Sequence, residues 1–198
     1  MSRMTKIVKV EPYKRDSLCM IYEMIKASCE DYKFLERRQF DECINSIYIC
    51  TEYDTFGFAT NIYGMVGVRE TTMEDIGVEK LKYYCKKNHK IYSMEFLHYS
   101  YHGSTPYPPS YVSDESVYMK LLRESLADKN DGFVVFRPHC PTGRTPEYHK
   151  YLIEFGFEIE DYNSLTEQYT YVKSPTVWGG INSRKYLDDE ELYKIPSF

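Results

Sequence analysis

Apolar and polar positions in the first third of the chain recur with two different periods, which predict both strands and helices. Residues 6–10 alternate and predict a strand, whereas residues 16–32 repeat apolar side chains at helical spacing. Asp16 or Ser17 is the expected cap of that helix. A second short helix is expected at 35–44, and two strands rich in β-forming residues are expected at 46–52 and 56–68.

The rest of the chain predicts alternating helices and strands. In order, these are a helix at 73–87, a strand at 91–101, a helix from 114, a strand at 133–136, a helix at 146–155, and a hairpin of strands at 157–160 and 167–172. Ser113 and Thr145 are the expected caps of the last two helices. Gly156 suits the C-terminal end of the final one.

The pattern weakens after residue 173. We therefore expect a body at 1–173 and a C-terminal extension at 174–198, with a short helix at 186–192, that docks on the body or on a partner. Mixed elements in this order predict an α/β (α+β) fold in a single domain. With 198 residues, of which 42% are hydrophobic and 28% charged, the chain has ordinary globular composition.

Composition indicates the expected cellular location of the protein and the classes of partner it binds. No apolar run approaches the roughly 20 residues of a membrane span, and the N-terminus has no secretory pattern, so a cytoplasmic protein is expected. The six cysteines form no C-x-x-C pair, which favours reduced thiols without structural zinc. A net charge of −5 argues against nucleic acid, and the lysines between 80 and 90 predict a solvated helix face. The 21 tyrosines suit partner interfaces.

Four stretches of sequence resemble one enzyme family. They are Ile7 to Lys26, Ile62-Tyr-Gly-Met-Val-Gly-Val68, Met94-Glu-Phe-Leu-His-Tyr-Ser-Tyr-His-Gly103 and Tyr148-His-Lys-Tyr-Leu-Ile-Glu-Phe-Gly-Phe157. In order and spacing they are similar to the GCN5-related N-acetyltransferase (GNAT) superfamily, over about residues 6–172. The resemblance implies a mixed central sheet flanked by helices, with the helix at 73–87 as an insertion. It also implies transfer of an acyl group from acetyl-CoA or another acyl-CoA to an amine.

The family's pyrophosphate loop has Arg or Gln, two residues, Gly, one residue, then Gly or Ala, and this chain departs from it. A single glycine, Gly103, is followed by a proline-rich stretch, and Asp114 and Glu115 begin the next helix. Acidic residues stabilise a helix start but repel a phosphate there. The resemblance places the remaining cofactor contacts on the fourth strand and the loop after it, at Leu97, Tyr99, His102, Gly103, Ser104 and Thr105.

The family's general base is an acidic residue on the fourth strand, and Glu95 occupies the matching position. A regular strand would put Glu95 and Leu97 on one face and Met94, Phe96 and His98 on the other. A carboxylate in such an apolar strand is either paired or functional. His98 is the second candidate for the base; its structural alternative is a hydrogen-bonded core histidine.

The family's general acid is a tyrosine four residues before the glycine of Gly-Phe, where this chain has Leu152. Tyr151 lies one position away, a rotation of about 100° around a helix, and Tyr148 lies one turn earlier. Either serves only in a shifted register; otherwise both are packing residues. No metal site is expected, because no combination of His102, His139, Cys140 and His149 has the spacing of a zinc site.

Three functions follow from these observations. The first is a GNAT-like acyltransferase that acts on an amine of a small molecule or protein. The second is a GNAT-fold protein without catalysis that works as a binding or structural protein, of the kind that occurs among phage-encoded virion components and host-interaction factors. The third is a nucleic-acid-modifying relative. An open gap between the fourth and fifth strands favours a cofactor, whereas a gap filled by the chain's own side chains favours a binding role.

Overall fold

A computed structural model describes residues 5–11, 15–28, 35–43, 45–53, 59–79, 81–85, 89–103, 106–177 and 181–182. Seven strands form one sheet: β1 (Lys6–Lys9), β2 (Ile47–Tyr53), β3 (Ala59–Thr71), β4 (Lys90–His102), β5 (Gly132–Phe136), β6 (Phe157–Asn163) and β7 (Gln168–Lys173). Their order is β1-β2-β3-β4-β5-β7-β6, and β4 and β5 are parallel while the other neighbours are antiparallel. This mixed single-domain sheet confirms the predicted fold class.

Helices cover both faces of this sheet. They are α1 (Arg15–Ser28), α2 (Arg37–Glu42), α3 (Met73–Ile76), α4 (Leu81–Tyr84), α5 (Asp114–Leu126) and α6 (His149–Glu154). The apolar stripe of α1 packs with Phe40 of α2 against one face, where Met65 and Phe96 are also buried. Helices α5 and α6 bury their apolar residues on the opposite face, so the sheet lies between two cores.

Helix starts and ends follow local chemistry in two places. The Ser113 side chain accepts a hydrogen bond from the Ser116 amide at 3.2 Å, which confirms it as the cap of α5. Gly156, with φ of 101°, directly follows the last turn of α6, as expected. The hairpin of β6 and β7 is also confirmed.

Three helix predictions are wrong. Helix α1 already includes Arg15, so Asp16 and Ser17 lie in its first turn and neither is its cap. The helix expected at 73–87 is instead the two single turns α3 and α4, because Gly77 adopts a left-handed conformation with φ of 61° and ends the first turn. Helix α6 begins at His149 and not at Pro146, since the His149 amide bonds the Pro146 carbonyl in a preceding turn, and Thr145 is therefore not its cap. The helix expected at 186–192 lies outside the described residues, and the extension at 174–198 stays a prediction.

A β-bulge in β4 corrects the predicted faces of that strand. Met94 is opposite Val68 and Phe96 is opposite Gly67, so Glu95 is the extra residue between them. The alternation shifts at this point. Leu97 is therefore buried with Met94 on the α5 side, while Phe96 stacks on Phe40 of α2.

The strands β4 and β5 separate next to this bulge. Their pairing ends where Met94 lies opposite Phe136, the last residue of β5. Strand β4 continues to His102. The sheet therefore has a gap beside residues 95–102, with α2 on one side and α5 and α6 on the other.

Candidate functional site

A cavity of about 320 Å³ lies at the start of this gap, on the α2 side of the sheet. Parts of α2, β3, α3, β4 and β7 and the segment after β5 surround it. Its walls are largely polar and are formed by Leu35, Gln39, Arg69, Asp75, Ile76, Ser93, Met94, Glu95, Arg137, Pro138, His139 and Gln168. Glu95, the bulged residue of β4, lies in this wall beside Ser93 and Met94.

Both carboxylate oxygens of Glu95 accept hydrogen bonds within the protein. Arg69 Nε donates to Oε1 at 2.7 Å, and Gln39 Nε2 donates to Oε2 at 3.1 Å. Arg69 also lies 3.1 Å from a carboxylate oxygen of Glu42. With 7% of its side chain exposed, Glu95 is a nearly buried charge that an arginine and an amide stabilise. A substrate amine would share these carboxylate oxygens with Arg69 and Gln39, since each oxygen can accept more than one hydrogen bond.

His98 lies within the sheet core, where it is 5% exposed and pairs with Met65. Burial and the neighbouring His102 lower the pKa of His98 to about 4, so the imidazole is neutral at physiological pH. Burial also lowers the pKa of His102, whose Nε2 lies 2.8 Å from Ser100 Oγ.

Tyrosine side chains occupy the α5 side of the gap. We call Tyr118, Tyr148 and Tyr151 the tyrosine cluster; each is at most 3% exposed. The Tyr118 ring centroid lies 5.8 Å from that of Tyr148 and 5.3 Å from that of Tyr151. Tyr99 of β4 and Phe136 of β5 contact the cluster from either side of the gap, at 6.0 Å and 5.6 Å. Aromatic rings thus fill the space between the two strands and the two helices.

The start of α5 is closed by the chain's own groups. The Ser116 amide donates to Ser113 Oγ, as described above, and the Glu115 amide donates to Asp114 Oδ1 at 2.9 Å. The Tyr151 hydroxyl donates to Asp114 Oδ2 at 3.2 Å, which connects α6 to the first turn of α5. Two of the amides that a helix start offers to an anion are therefore already used.

A buried carboxylate fixes the segment between β4 and α5. Glu52 at the end of β2 is 1% exposed and accepts hydrogen bonds from Asn61 at 2.8 Å and from the Tyr63 hydroxyl at 3.0 Å. The Tyr111 hydroxyl donates to its other oxygen at 2.7 Å. A side chain on Gly103 would collide with Asn61 and Tyr101. This glycine therefore packs directly against Asn61, which binds Glu52.

Comparison with solved structures identifies the fold. An acetyltransferase from Corynebacterium glutamicum, described as histone acetyltransferase HPA2 and related acetyltransferase, matches 88% of this chain and 98% of its own with a TM-score of 0.53 and 12% identity. The aminoglycoside 6'-N-acetyltransferase of Enterococcus faecium matches 87% and 98% with a TM-score of 0.51 and 9% identity. This chain has the GNAT fold. No protein-family model matches the sequence, and no curated protein matches it.

Acyl-CoA, the cofactor that the GNAT resemblance implies, does not fit the described residues. Its pyrophosphate would meet Asp114 and Glu115 at a helix start whose amides are partly capped by side chains. Its pantetheine arm would need the gap between β4 and β5, which the tyrosine cluster fills. Of the cofactor contacts expected from the resemblance, Leu97 is fully buried, Tyr99 contacts the cluster, and Ser104 and Thr105 lie outside the described residues.

The GNAT fold separates the predicted catalytic residues. Glu95 lines the cavity on the α2 side, whereas Tyr148 and Tyr151 are buried on the α5 side with Leu152.

The sequence alone did not predict three charged residues of this region, Arg69, Arg137 and Glu52. A charged residue directly after the apolar run 62–68 was the one signal for Arg69.

The described residues provide neither a metal-binding cluster nor a helix suited to a membrane. No three or more of their His, Cys, Asp and Glu side chains are grouped so that they could hold a metal ion. None of their helices is long and apolar enough to cross a membrane.

Proposed function

We propose that this protein is a binding protein built on the GNAT fold, which holds a small polar ligand in the cavity beside Glu95 and does not transfer acyl groups from CoA. The observation that carries this proposal is the tyrosine cluster together with the Tyr151–Asp114 hydrogen bond. These groups occupy the side of the gap on which an acyl-CoA would approach. Well-packed buried rings are displaced only at a large energetic cost, so a thioester would have to reorganise a core to enter.

The cavity supports the binding part of the proposal. Its volume of about 320 Å³ is at the lower end of the range of ligand pockets. Its position at a break in the sheet, where two parallel strands separate, is a common place for ligands in α/β proteins. The Arg69–Glu95 ion pair forms a fixed polar part of the cavity wall, which can orient a ligand without a change in its own position.

Acyl transfer is tested by measuring the release of free thiol from acetyl-CoA. An aminoglycoside and a lysine-containing peptide are suitable amines, because the two structural neighbours are named as an aminoglycoside and a histone-related acetyltransferase. The proposal predicts release no faster than hydrolysis of acetyl-CoA without protein. Amine-dependent release that a Glu95→Gln substitution abolishes, and that a Glu70→Gln substitution leaves intact, would contradict it. Glu70 is a suitable control because it lies on β3 with 62% of its side chain exposed.

A GNAT-type acyltransferase is the second candidate function, and one observation favours it. The strands β4 and β5 separate directly beside Glu95, and that carboxylate borders a cavity able to admit an amine. In this case Glu95 would accept the amine proton, either directly or through water, with Gln39 still bound to one of its oxygens. The thiol-release experiment separates the two candidates, because the acyltransferase predicts amine-dependent release by the unchanged protein and by Glu70→Gln, whereas the binding proposal predicts none from either.

A further inference from the structure

The cavity beside Glu95 contains two kinds of charged group. Arg69 and Glu95 form an ion pair of 2.7 Å, and Arg69 also lies 3.1 Å from a carboxylate oxygen of Glu42, so each charge of this pair has a partner within the protein. Arg137 and Asp75, in contrast, form no ion pair within the part of the chain that the structure describes. Burial lowers the pKa of the Arg137 guanidinium, while the nearby Glu95 carboxylate favours its charged form. A ligand therefore meets one cation and one anion that have no ion-pair partner among the described residues.

Arg137 is held in place by the fold. It directly follows β5, and its Nη2 donates a hydrogen bond to the carbonyl oxygen of Ile76, the last residue of α3. A guanidinium carries five N–H donors in a rigid planar fork. One bond to a carbonyl orients this fork and leaves other donors for a carboxylate, the group whose geometry the fork matches.

Asp75 precedes Ile76 in α3. The same short helix therefore carries both Asp75 and the carbonyl oxygen that binds Arg137. Its backbone amide is used in the Thr72 cap, at 3.1 Å. Asp75, like Arg137, is one of the residues that line the cavity. Gln39, Ser93 and Gln168 supply uncharged polar groups around them.

We infer that this cavity binds a small zwitterion of the amino acid class, whose carboxylate pairs with Arg137 and whose ammonium group faces Asp75. The inference rests on the proposed function, in which the cavity is the ligand site. A volume of about 320 Å³ suits a single amino acid better than a nucleotide or a long peptide. One cation and one anion without an ion-pair partner also favour a zwitterion over a plain acid or a plain amine, since either of these would leave one of the two side chains without a partner.

The experiment measures thermal unfolding of the full chain with each standard L-amino acid at about 10 mM, followed by calorimetric titration of any that stabilises the fold. The binding amino acid is then compared with its decarboxylated amine and its N-acetyl derivative. Each analogue lacks one of the two charges, and we expect each to bind roughly tenfold more weakly or worse.

Variants locate the ligand. Arg137→Gln should weaken binding roughly tenfold or more, and Arg137→Lys should weaken it less, because lysine keeps the charge but loses the fork. Arg123→Gln is the matched control: Arg123 is an exposed arginine of α5, on the other face of the sheet, and its replacement should leave the affinity unchanged. The melting temperature of each variant without ligand shows whether it folds.

Three results would overturn the inference: no amino acid that stabilises the protein, an affinity that Arg137→Gln leaves intact, or an amine that binds as well as its amino acid. Acetyl-CoA is titrated in parallel. Binding of acetyl-CoA would contradict the proposed function, whereas failure of all amino acids without acetyl-CoA binding would contradict only the ligand class.

Discussion

The two sides of the gap between β4 and β5 differ in what fills them. On the α2 side, polar side chains from several elements surround a cavity, and Glu95 lies in its wall. On the α5 side, three buried tyrosines fill the corresponding space. The same two strands border both sides of the gap. The difference between the two sides therefore comes from their side chains and not from the path of the backbone. This GNAT fold therefore combines separated strands with described residues that do not fit the cofactor.

The hydrogen bonds of the two sides show the same contrast. On the α2 side, the Arg69–Glu95 pair is anchored within the protein but borders the cavity. On the α5 side, Tyr118 of α5 donates to Glu147, in the segment before α6, at 2.9 Å. Tyr151 of α6 donates to Asp114 of α5, so both hydroxyls connect α5 to the region of α6. Bonds of this kind stabilise a closed core, and their loss should be seen in stability.

The largest expected effect is that of Tyr118→Ala. This side chain is 1% exposed and contacts the rings of Tyr99, Tyr148 and Tyr151, so its removal leaves a large cavity. The free energy of unfolding should fall by about 3–5 kcal/mol, measured by urea denaturation. Tyr107→Ala, at a position that is 78% exposed, is the control and should change it by less than about 0.5 kcal/mol. A loss below about 1 kcal/mol for Tyr118→Ala would mean that the α5 side is not packed.

The second effect concerns the α2 side. Arg69→Met leaves the nearly buried Glu95 carboxylate without its cation, and the free energy of unfolding should fall by about 2–3 kcal/mol. This is less than for a fully buried pair, because 21% of the Arg69 side chain is exposed. Adding Glu95→Gln should recover part of the loss, since the unpaired charge is then removed. Additive losses in the double variant would show that the two side chains do not interact.

Acid should destabilise the protein through His98. Burial lowers its pKa from 6.5 to about 4, so between these pH values the unfolded chain binds a proton that the folded chain does not. The free energy of unfolding should therefore fall as the pH drops from about 6.5 to about 4, by roughly 2–3 kcal/mol. Burial lowers the pKa of His102 as well, which adds in the same direction.

Denaturation curves at several pH values test this expectation. His98→Gln should make the free energy of unfolding depend less on pH. His139→Gln, at a histidine of the cavity wall, should leave the loss of stability in acid unchanged. If the slope is the same for His98→Gln and the unchanged protein, His98 is not the group responsible.

The smallest effect is expected for Tyr151→Phe. The substitution removes the hydrogen bond to Asp114 but keeps the ring, so it should lower the free energy of unfolding by about 1 kcal/mol. Asp114→Asn in the same background should then have little further effect through this contact. A loss equal to that of Tyr118→Ala would mean that the bond and not the ring packing holds the α5 side closed.

Elements with strong local signals were predicted correctly from the sequence. Strand β4 has a long run of β-forming residues, Ser113 is a good cap for α5, and Gly156 ends α6. These features depend on residues that are close together in the chain. The same holds for the hairpin of β6 and β7, and together they fix the order of strands and helices that resembles the GNAT superfamily.

The candidate site was harder to predict, because it depends on contacts between distant residues. The bulge at Glu95 arises from its register with Gly67 and Val68 of β3, which the sequence of β4 alone does not contain. The bond from Tyr111 to Glu52 spans 59 positions. Gly77 interrupts the predicted helix at 73–87, and without this break α3 would not present Asp75 and Ile76 as it does.

Thermal unfolding with acetyl-CoA at about 1 mM, repeated with desulfo-CoA, tests the closure of the α5 side most directly. A ligand present at 100 times its dissociation constant adds about 2.7 kcal/mol to the free energy of unfolding. For a chain of this length, that raises the melting temperature by roughly 5–10 °C. The tyrosine cluster and the acidic start of α5 predict no shift with either compound. A shift of several degrees with both would show that the α5 side opens for CoA, and would contradict the account.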